Sequence, residues 1–437
     1  MLDKKLLELG YVKGIYREAS PLDIREGCAY DITGVRIDRS FLRRAPGSSN
    51  LISGTYAGTP VRVILYYKGN DTYLVVVTTS NVYKRNASSW SALTGTFTVT
   101  AGSHVSFTTF PISSVISLII SHLSGGVKKW DGVGNLLDLG GLSGISVTGA
   151  TCISSYRTHL ILGRTTEGGA IQHSRIRWSG VGNAEDYTSA TSGFADLIDT
   201  PDQIKETFPW LDRLIVYKSN SLWECSYIGY PQIFNFAPFI HDVGLLAPAS
   251  LCATKEKGQV TSHIFLGTDN VYEFNGQLNP IGEAIWHMLF GVNAIVNKEQ
   301  RTKAQGIYAH WSSEYYLTLP LGTDPNMRAI FAYNFKDKAW TRKDHATPIY
   351  ALGYWKGDVG IPWTGLSGAW TDQTWIWGGE TTGERNPVAL LAKSSYMKVL
   401  NFTTLTDDEV YATAYFESKD YMFGFKTRWV EFQAEII

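Results

Sequence analysis

One short residue pattern recurs along this chain and constrains its fold more than any other feature. Its clearest copy runs from Thr261 to Gly276 and reads TSHIFLGTDNVYEFNG. The apolar run Ile264–Leu266 is followed by the polar turn Gly267–Asn270 and by a second β-prone run, Val271–Phe274. Two such runs joined by a tight polar turn predict a β-hairpin.

Six further copies of this hairpin pattern are spread along the chain. Their first strands, which are mostly apolar on both faces, are Leu74–Val77, Leu118–Ser121, His159–Leu162, Leu214–Tyr217, Tyr315–Leu319 and, in a weaker copy, Thr374–Trp377. Their second strands are Val82–Lys84, Val127–Trp130, Ser174–Ser179, Leu222–Cys225, Ala329–Tyr333 and Val388–Leu391. The copies start about 40 to 60 residues apart, which is the spacing of four-stranded propeller blades. A strand that is apolar on both faces suits burial between two neighbouring blades.

This repetition predicts an all-β protein built as a β-propeller of six or seven blades. A β-sandwich or two small barrels would give a similar series of hairpins. The propeller is favoured because one repeat continues over about 300 residues. We assign residues 1–47 to an N-terminal arm and the strand that leads into the propeller, residues 48–404 to the propeller, and residues 405–437 to C-terminal strands. These last strands are too few for a core of their own and are expected to pack on the propeller or on a partner.

Aromatic residues at or near the second strands are expected to anchor adjacent blades. Large rings bury much apolar surface and pack edge to face. We predict this role for Tyr83, Trp130, Trp178, Trp223, Tyr272 and Trp340.

Two segments depart from the hairpin pattern. Apolar residues at helical spacing predict a short helix insertion over Ile281–Gln305, in two pieces around Gly291. The Thr-, Ser- and Gly-rich segment Thr96–Thr109 has apolar residues at alternate positions, which predicts an exposed hairpin.

Composition narrows the class of protein. Of the 437 residues, 44% are hydrophobic and 18% are charged, which is typical of a globular chain. The formal net charge of −1 gives no global basic field for tight binding of nucleic acid. The four cysteines are far apart in sequence, so reduced, buried thiols are expected rather than zinc ligands or disulfides. The N-terminus lacks a signal-peptide pattern and no apolar run reaches the length of a membrane span.

Motifs that would carry catalysis are absent from the sequence. It contains no Gly-x-Ser-x-Gly, phosphate-binding loop, His-Glu-x-x-His or EF-hand loop. The string Thr371–Trp375 is similar to the repeated box of propeller sialidases, but it lacks the glycine and occurs once. The adjacent carboxylates Glu185 and Asp186 are expected to stabilise a loop, since no partner acid is evident. We therefore predict no enzymatic activity, no catalytic residue, no cofactor and no metal site.

Three strings carry a resemblance to a known family. The first begins at Ser20, continues through a Gly- and acid-bearing segment, and ends in Arg43-Arg44-Ala45-Pro46-Gly47. The second is Arg175–Tyr187, which reads RIRWSGVGNAEDY. The third is the order of hairpin, helix, polar turn and Tyr/Leu-rich hairpin that ends at Trp340. Together they resemble the tail nozzle (tail hub, packaged-DNA-stabilising) proteins of short-tailed phages. Ala45 departs from the Arg-Pro-Gly-like turn of that family.

The resemblance implies a virion structural protein with no membrane insertion by this chain. Such a subunit forms a homo-oligomeric ring, a hexamer, around the DNA exit channel, retains the packaged double-stranded DNA and lets it pass on infection. Its partners would be the portal, the adaptor or other tail proteins, and its location the virion tail after assembly in the host cytoplasm. Candidate assembly contacts are Arg43, Arg44, Pro46 and Gly47; a solvated loop is the alternative for the two arginines.

Two other functions are compatible with the pattern. The first is a glycan-binding or glycan-cleaving propeller, which would need convergent carboxylates or an aromatic cleft at one mouth of the propeller. The second is a bacterial regulatory propeller scaffold, which is disfavoured because the repeats are too divergent.

Overall fold

The computed structural model describes residues 13–17, 23–38, 41–52, 54–69, 71–86, 89–256, 259–292, 294–355, 388–401, 406–407, 410–411 and 414–418. Within these residues, seven antiparallel sheets follow one another as the blades of a β-propeller. The predicted fold class is therefore confirmed, and the number of blades is seven. None of the helices in the described part is long and apolar enough to cross a membrane.

Each blade has four main strands that pair in meander order, and blade 3 has one short additional strand. Blade 1 comprises Pro60–Lys68, Asp71–Thr78, Val82–Arg85 and Trp90–Ala92; blade 2 comprises Ser106–Ile112, Val115–His122, Gly126–Trp130 and Leu137–Asp138; blade 3 comprises Val147–Tyr156, His159–Glu167, Arg175–Trp178 and Gly193–Asp196, with Ala170–Ile171 beside the second strand. Blade 4 comprises Ile204–Trp210, Arg213–Lys218, Ser221–Gly229 and Ile233–His241; blade 5 comprises Cys252–Glu256, Gln259–Leu266, Val271–Phe274 and Leu278–Pro280. Blade 6 contains Gln305–Ala309, Glu314–Pro320, Met327–Asn334 and Ala339–Ile349; blade 7 contains Ala351–Trp355, Val388–Ala392, Met397–Asn401 and Gly47–Asn50.

Among the described residues, seven apolar clusters hold the ring together, one between each pair of neighbouring blades. Successive side chains of a strand point to opposite faces of its sheet, so one strand can supply two clusters. In blade 4, Leu214 and Val216 pack toward blade 3, whereas Ile215 and Tyr217 pack toward blade 5. This arrangement explains why the second strand of most blades is apolar at every position.

A strand from the start of the chain closes the ring. Gly47–Asn50 pairs with Met397–Asn401 and completes blade 7. Lys343 of blade 6 donates from Nζ to the carbonyl oxygen of Pro46 at 2.5 Å. The first and last parts of the propeller are therefore joined in one sheet.

Further segments extend the outer edge of blade 6. Ala29–Thr33 pairs in parallel with Ala339–Ile349 and antiparallel with Tyr415–Ser418, giving a six-stranded sheet. Two small sheets, Val35–Asp38 with Phe41–Arg44 and Thr406–Asp407 with Val410–Tyr411, complete the described strands.

The helical insertion is shorter than predicted. The helical turns are Glu283–Ile285 and Trp286–Leu289 before Gly291 and Lys298–Lys303 after it. Two pieces were expected, but most of the turns are 3-10 rather than α. Elsewhere, Ser143–Ile145 and Pro248–Ser250 form single 3-10 turns.

Two sequence predictions need correction. The segment Thr96–Thr109 is no exposed hairpin: Phe97, Val99 and Val105 are buried between blades 1 and 2, and the strand that follows is the first strand of blade 2. The predicted pairing of the weaker hairpin copy is also wrong. Its expected first strand, Thr374–Trp377, lies outside the described residues, whereas Val388–Ala392 is the second strand of blade 7 and pairs on both sides.

Candidate functional site

A cavity with a mixed polar and apolar wall lies where the first strands of the blades converge. Its volume is about 190 Å³, and blades 1 to 4 contribute to its wall together with the segment between blades 4 and 5. The polar residues on this wall include Arg62, Ser106, Thr108, Ser154 and Glu206. First strands are the innermost strands here, because those of neighbouring blades contact one another.

Glu206 is buried on this wall and fully engaged by its neighbours. His104 donates from Nε2 to one carboxylate oxygen at 2.5 Å, and Ser106 donates from Oγ to the other at 3.1 Å. The backbone N–H of Thr207 donates to the second oxygen at 3.0 Å. Ser106 Oγ also accepts the N–H of Ile153 at 3.1 Å. The carboxylate therefore joins blades 2, 3 and 4, and both of its oxygens accept hydrogen bonds.

Arg62 enters the same cavity from blade 1 with few partners. One terminal nitrogen donates to the carbonyl oxygen of Ala249 at 3.4 Å, and the guanidinium lies 5.4 Å from the ring centre of Phe107. Its Nε is buried and has no acceptor among the described residues. Burial lowers the pKa of Arg62, and the charge of Glu206 opposes that effect only in part. Within the described part of the chain Arg62 and Glu206 form no ion pair, so the guanidinium is not neutralised by a direct contact.

An apolar projection lies at one end of blade 4. We call Leu211, Ile228 and Tyr230 the blade-4 tip; their exposed fractions are 61%, 51% and 74%. Leu211 occupies the turn between the first and second strands. Ile228 is near the end of the third strand, and Tyr230 begins the turn between the third and fourth strands. Both turns lie at the same end of the blade, because adjacent strands are antiparallel.

The backbone of the blade-4 tip is constrained. Leu211 has φ 51° and Ile233, which is buried beneath the tip, has φ 65°. Positive φ is unfavourable for residues other than glycine, and a β-branched residue in this region is an outlier. Such strain persists only where the surrounding structure fixes it.

Two buried polar networks were not predicted from the sequence. His263 donates from Nε2 to Pro209 O at 3.0 Å and accepts from the hydroxyl of Tyr217 at 2.8 Å on Nδ1. Lys218 is fully buried; its Nζ contacts Asp202 at 3.0 Å and donates to Thr200 Oγ1 at 2.7 Å. Both networks join neighbouring blades or their connections, which indicates a structural role.

The predicted anchoring aromatics lie at blade interfaces. Trp130, Trp178, Trp223, Tyr272 and Trp340 are buried, and Tyr83 is half-buried. Trp130 packs edge to face on Tyr73 of blade 1 at 5.3 Å, and Trp178 packs likewise on Phe234 of blade 4 at 5.4 Å. Five of the six are on third strands; Trp340 is on the fourth strand of blade 6, where its Nε1 donates to Ile281 O at 2.6 Å.

The candidate assembly contacts divide into two pairs. Arg43 is exposed and Arg44 is half-buried, so the prediction for these two stays open. Pro46 and Gly47 are buried and do not fit the predicted role of assembly contacts. The carbonyl oxygen of Pro46 accepts from Lys343, and Gly47 pairs with Asn401 inside the protein. Their burial follows from the closure of the ring.

The adjacent carboxylates Glu185 and Asp186 hold a loop in place, as expected. Glu185 accepts from Lys129 Nζ at 2.7 Å and from the N–H of Gly140 at 2.6 Å. Asp186 accepts the N–H groups of Thr188 and Ser189. The first hydrogen bond of this turn lowers the pKa of Asp186. All four cysteines are unpaired, and no group of three metal-binding side chains occurs in the described ranges.

Among the known proteins compared with this chain, only solved structures match it. No family model and no curated protein sequence matches the chain. An extracellular domain from B. thetaiotaomicron, BT4673, matches with a TM-score of 0.44 and 8% identity over 82% of this chain and 40% of that chain. BBS1N in complex with ARL6DN gives a TM-score of 0.45 and 10% identity over 82% and 98% of the two chains. The Pan2 WD40 domain of Neurospora crassa matches with a TM-score of 0.42 and 8% identity over 83% of this chain and 100% of that chain. Likenesses of this level carry no inference about function.

Proposed function

We propose that this chain is a structural subunit of a phage tail, part of the nozzle or of a neighbouring ring, that acts by binding other tail proteins. The proposal combines two supports. One is the sequence resemblance to tail nozzle proteins of short-tailed phages. The other is the blade-4 tip, whose geometry suits a docking surface.

The blade-4 tip is the single observation that carries the binding role. Three large apolar side chains are exposed at one end of one blade, next to the half-exposed Tyr227 at 45%. Large apolar side chains exposed at one end of a blade favour an interaction site, because large exposed apolar patches are uncommon on monomeric proteins. Aromatic and aliphatic anchors of this kind supply most of the free energy of protein interfaces. The occupant we propose is an adjacent protein of the same tail.

The charge of the chain fits a conduit rather than a DNA-binding wall. A net charge of −1 provides little release of counterions along double-stranded DNA. A ring of such subunits would let DNA slide past without holding it by its phosphates. In this proposal, retention of the packaged genome comes from the geometry of the assembled ring.

The first test measures the protein composition of purified virions. The chain should copurify in stoichiometric amounts with portal and adaptor proteins in intact particles. Its absence from purified virions of a phage that encodes it would contradict the proposal.

The second test uses matched variants. Ile228→Ser combined with Tyr230→Ser should leave the subunit folded but block its incorporation into tails. Ile198→Ser removes an apolar residue that is equally exposed, at 74%, in the connection between blades 3 and 4. This control should assemble normally. Equal incorporation of both variants would show that the blade-4 tip is not the docking surface.

A further inference from the structure

We propose that the central cavity binds a small organic carboxylate, held by the guanidinium of Arg62. This role goes beyond the tail function and does not depend on it. The argument rests on the partners of Arg62, on the state of Glu206 and on the size and lining of the cavity.

Arg62 is a cation without a direct counter-ion. A guanidinium has five N–H donors, and among the described residues this one uses a single bond of 3.4 Å, with its Nε left buried and unpaired. Arg62 is half-buried at the cavity wall, and a cation that is partly removed from water is stabilised by a partner of opposite charge. A cation kept under these conditions is typical of a site that receives its anion from a ligand.

Glu206 does not take that role. Its oxygens already accept from His104, Ser106 and the backbone of Thr207. Its charge contributes to the field at Arg62 but makes no contact with it within the described residues. The guanidinium fork therefore remains available to a carboxylate, which it matches in two parallel hydrogen bonds.

The cavity sets the size and character of the ligand. Its volume of about 190 Å³ is somewhat larger than the roughly 150 Å³ of an engineered cavity that accepts benzene. Phe107, Phe208 and Leu251 line it with apolar surface, and the hydroxyls of Thr108 and Ser155 are also on the wall. These features suit a monocarboxylate with an aromatic or branched aliphatic body.

Benzoate is the probe, and titration calorimetry with the full chain is the measurement. We expect saturable binding of one benzoate per chain, and no binding of benzyl alcohol, which has a similar body and no charge. Arg62→Gln should weaken benzoate binding by about tenfold or more, because charge-assisted bidentate bonds are lost. The matched control, Arg157→Gln, alters an exposed arginine that does not line the cavity and should bind benzoate as the wild type does.

A second measurement excludes a trivial loss of fold. Thermal unfolding without ligand should show R62Q at least as stable as the wild type, because the substitution removes a half-buried cation that has no ion-pair partner among the described residues. A lower Tm for R62Q would mean that Arg62 is a structural cation and would overturn the proposal. So would no benzoate binding up to about 10 mM, or binding that R62Q leaves unchanged. Sulfate binding as tightly as benzoate would overturn the assignment to carboxylates.

Discussion

Ser49 pairs with Val399 across blade 7, although the two residues come from opposite ends of the described propeller. The pairing turns a linear series of hairpins into a closed ring. Without it, blade 7 would have three strands and an open edge. Unpaired strand edges expose backbone donors and acceptors that other chains can bind.

The closing strand should be sensitive to proline. Leu51 donates its N–H to Met397 O at 2.9 Å, and hydrogen-bonded pairs alternate along an antiparallel ladder, so Ser49 also donates across the sheet. Ser49→Pro removes this donor, and we expect it to lower the free energy of unfolding by about 1 to 3 kcal/mol. Denaturant unfolding measures the change. Ser49→Ala keeps the N–H and should cost little; equal losses in both variants would contradict the prediction.

The stability of the protein should fall on mild acidification. Burial lowers the pKa of His263 to about 4, and burial together with the charge of His104 does the same for His122. Both lie below the ordinary value of 6.5, so between pH 6.5 and 4 the unfolded chain binds more protons than the folded one. The stabilisation is complete above pH 6.5 and decreases as the pH falls toward 4. Each histidine contributes a slope of at most about 1.4 kcal/mol per pH unit.

Unfolding free energies of variants between pH 5 and 7 test this dependence. His263→Gln should reduce the slope of the unfolding free energy against pH by the contribution of one histidine. His173→Gln changes an exposed residue and should leave the slope as it is. A slope that is the same in H263Q and in the wild type would show that His263 is not the group that titrates.

The buried pair of Lys218 and Asp202 should be costly to break from one side. Lys218→Met leaves the carboxylate of Asp202 in a nearly closed site, with Ser221 and the N–H of Asn220 as its remaining donors. We expect a loss of about 3 to 5 kcal/mol in the free energy of unfolding. Lys218→Met combined with Asp202→Asn should be less destabilising than the single substitution, since no buried charge is left alone.

An exposed ion pair provides the control for this experiment. Lys128 contacts Asp138 at 2.7 Å, but the carboxylate is largely exposed. Lys128→Met should therefore cost no more than about 1 kcal/mol. Similar losses for K128M and K218M would mean that burial does not determine the cost of losing a lysine.

The propeller could be predicted because each blade contains a local signal. The second and third strands of a blade form a hairpin of about 20 residues or fewer, as in Gln259–Phe274. Such a hairpin can be recognised from local sequence alone, without knowledge of a distant partner strand. First strands were harder to find. Ile204–Trp210 contains Lys205, Glu206 and Pro209, residue types that are depleted in strands. Two of them, Glu206 and Pro209, line the cavity.

The closing strand and the cavity could not be predicted for a related reason. Gly47–Asn50 reads GSSN, which has turn chemistry, and only its pairing with the last blade makes it a strand. Arg62 and Glu206 are far apart in sequence and share a cavity only because the blades close in a circle. Lys218 precedes a Ser-Asn turn and gives no sign in sequence that it is buried.

The closing strand also has a consequence during synthesis. Ser49 leaves the ribosome about 350 residues before Val399, which at usual elongation rates is roughly 20 to 70 s. Throughout that interval the closing strand has no partner, and the apolar face of blade 1 that packs on blade 7 stays uncovered. Translation speed and chaperone coverage should therefore affect the yield of this protein more than that of a propeller whose last blade is made from consecutive strands.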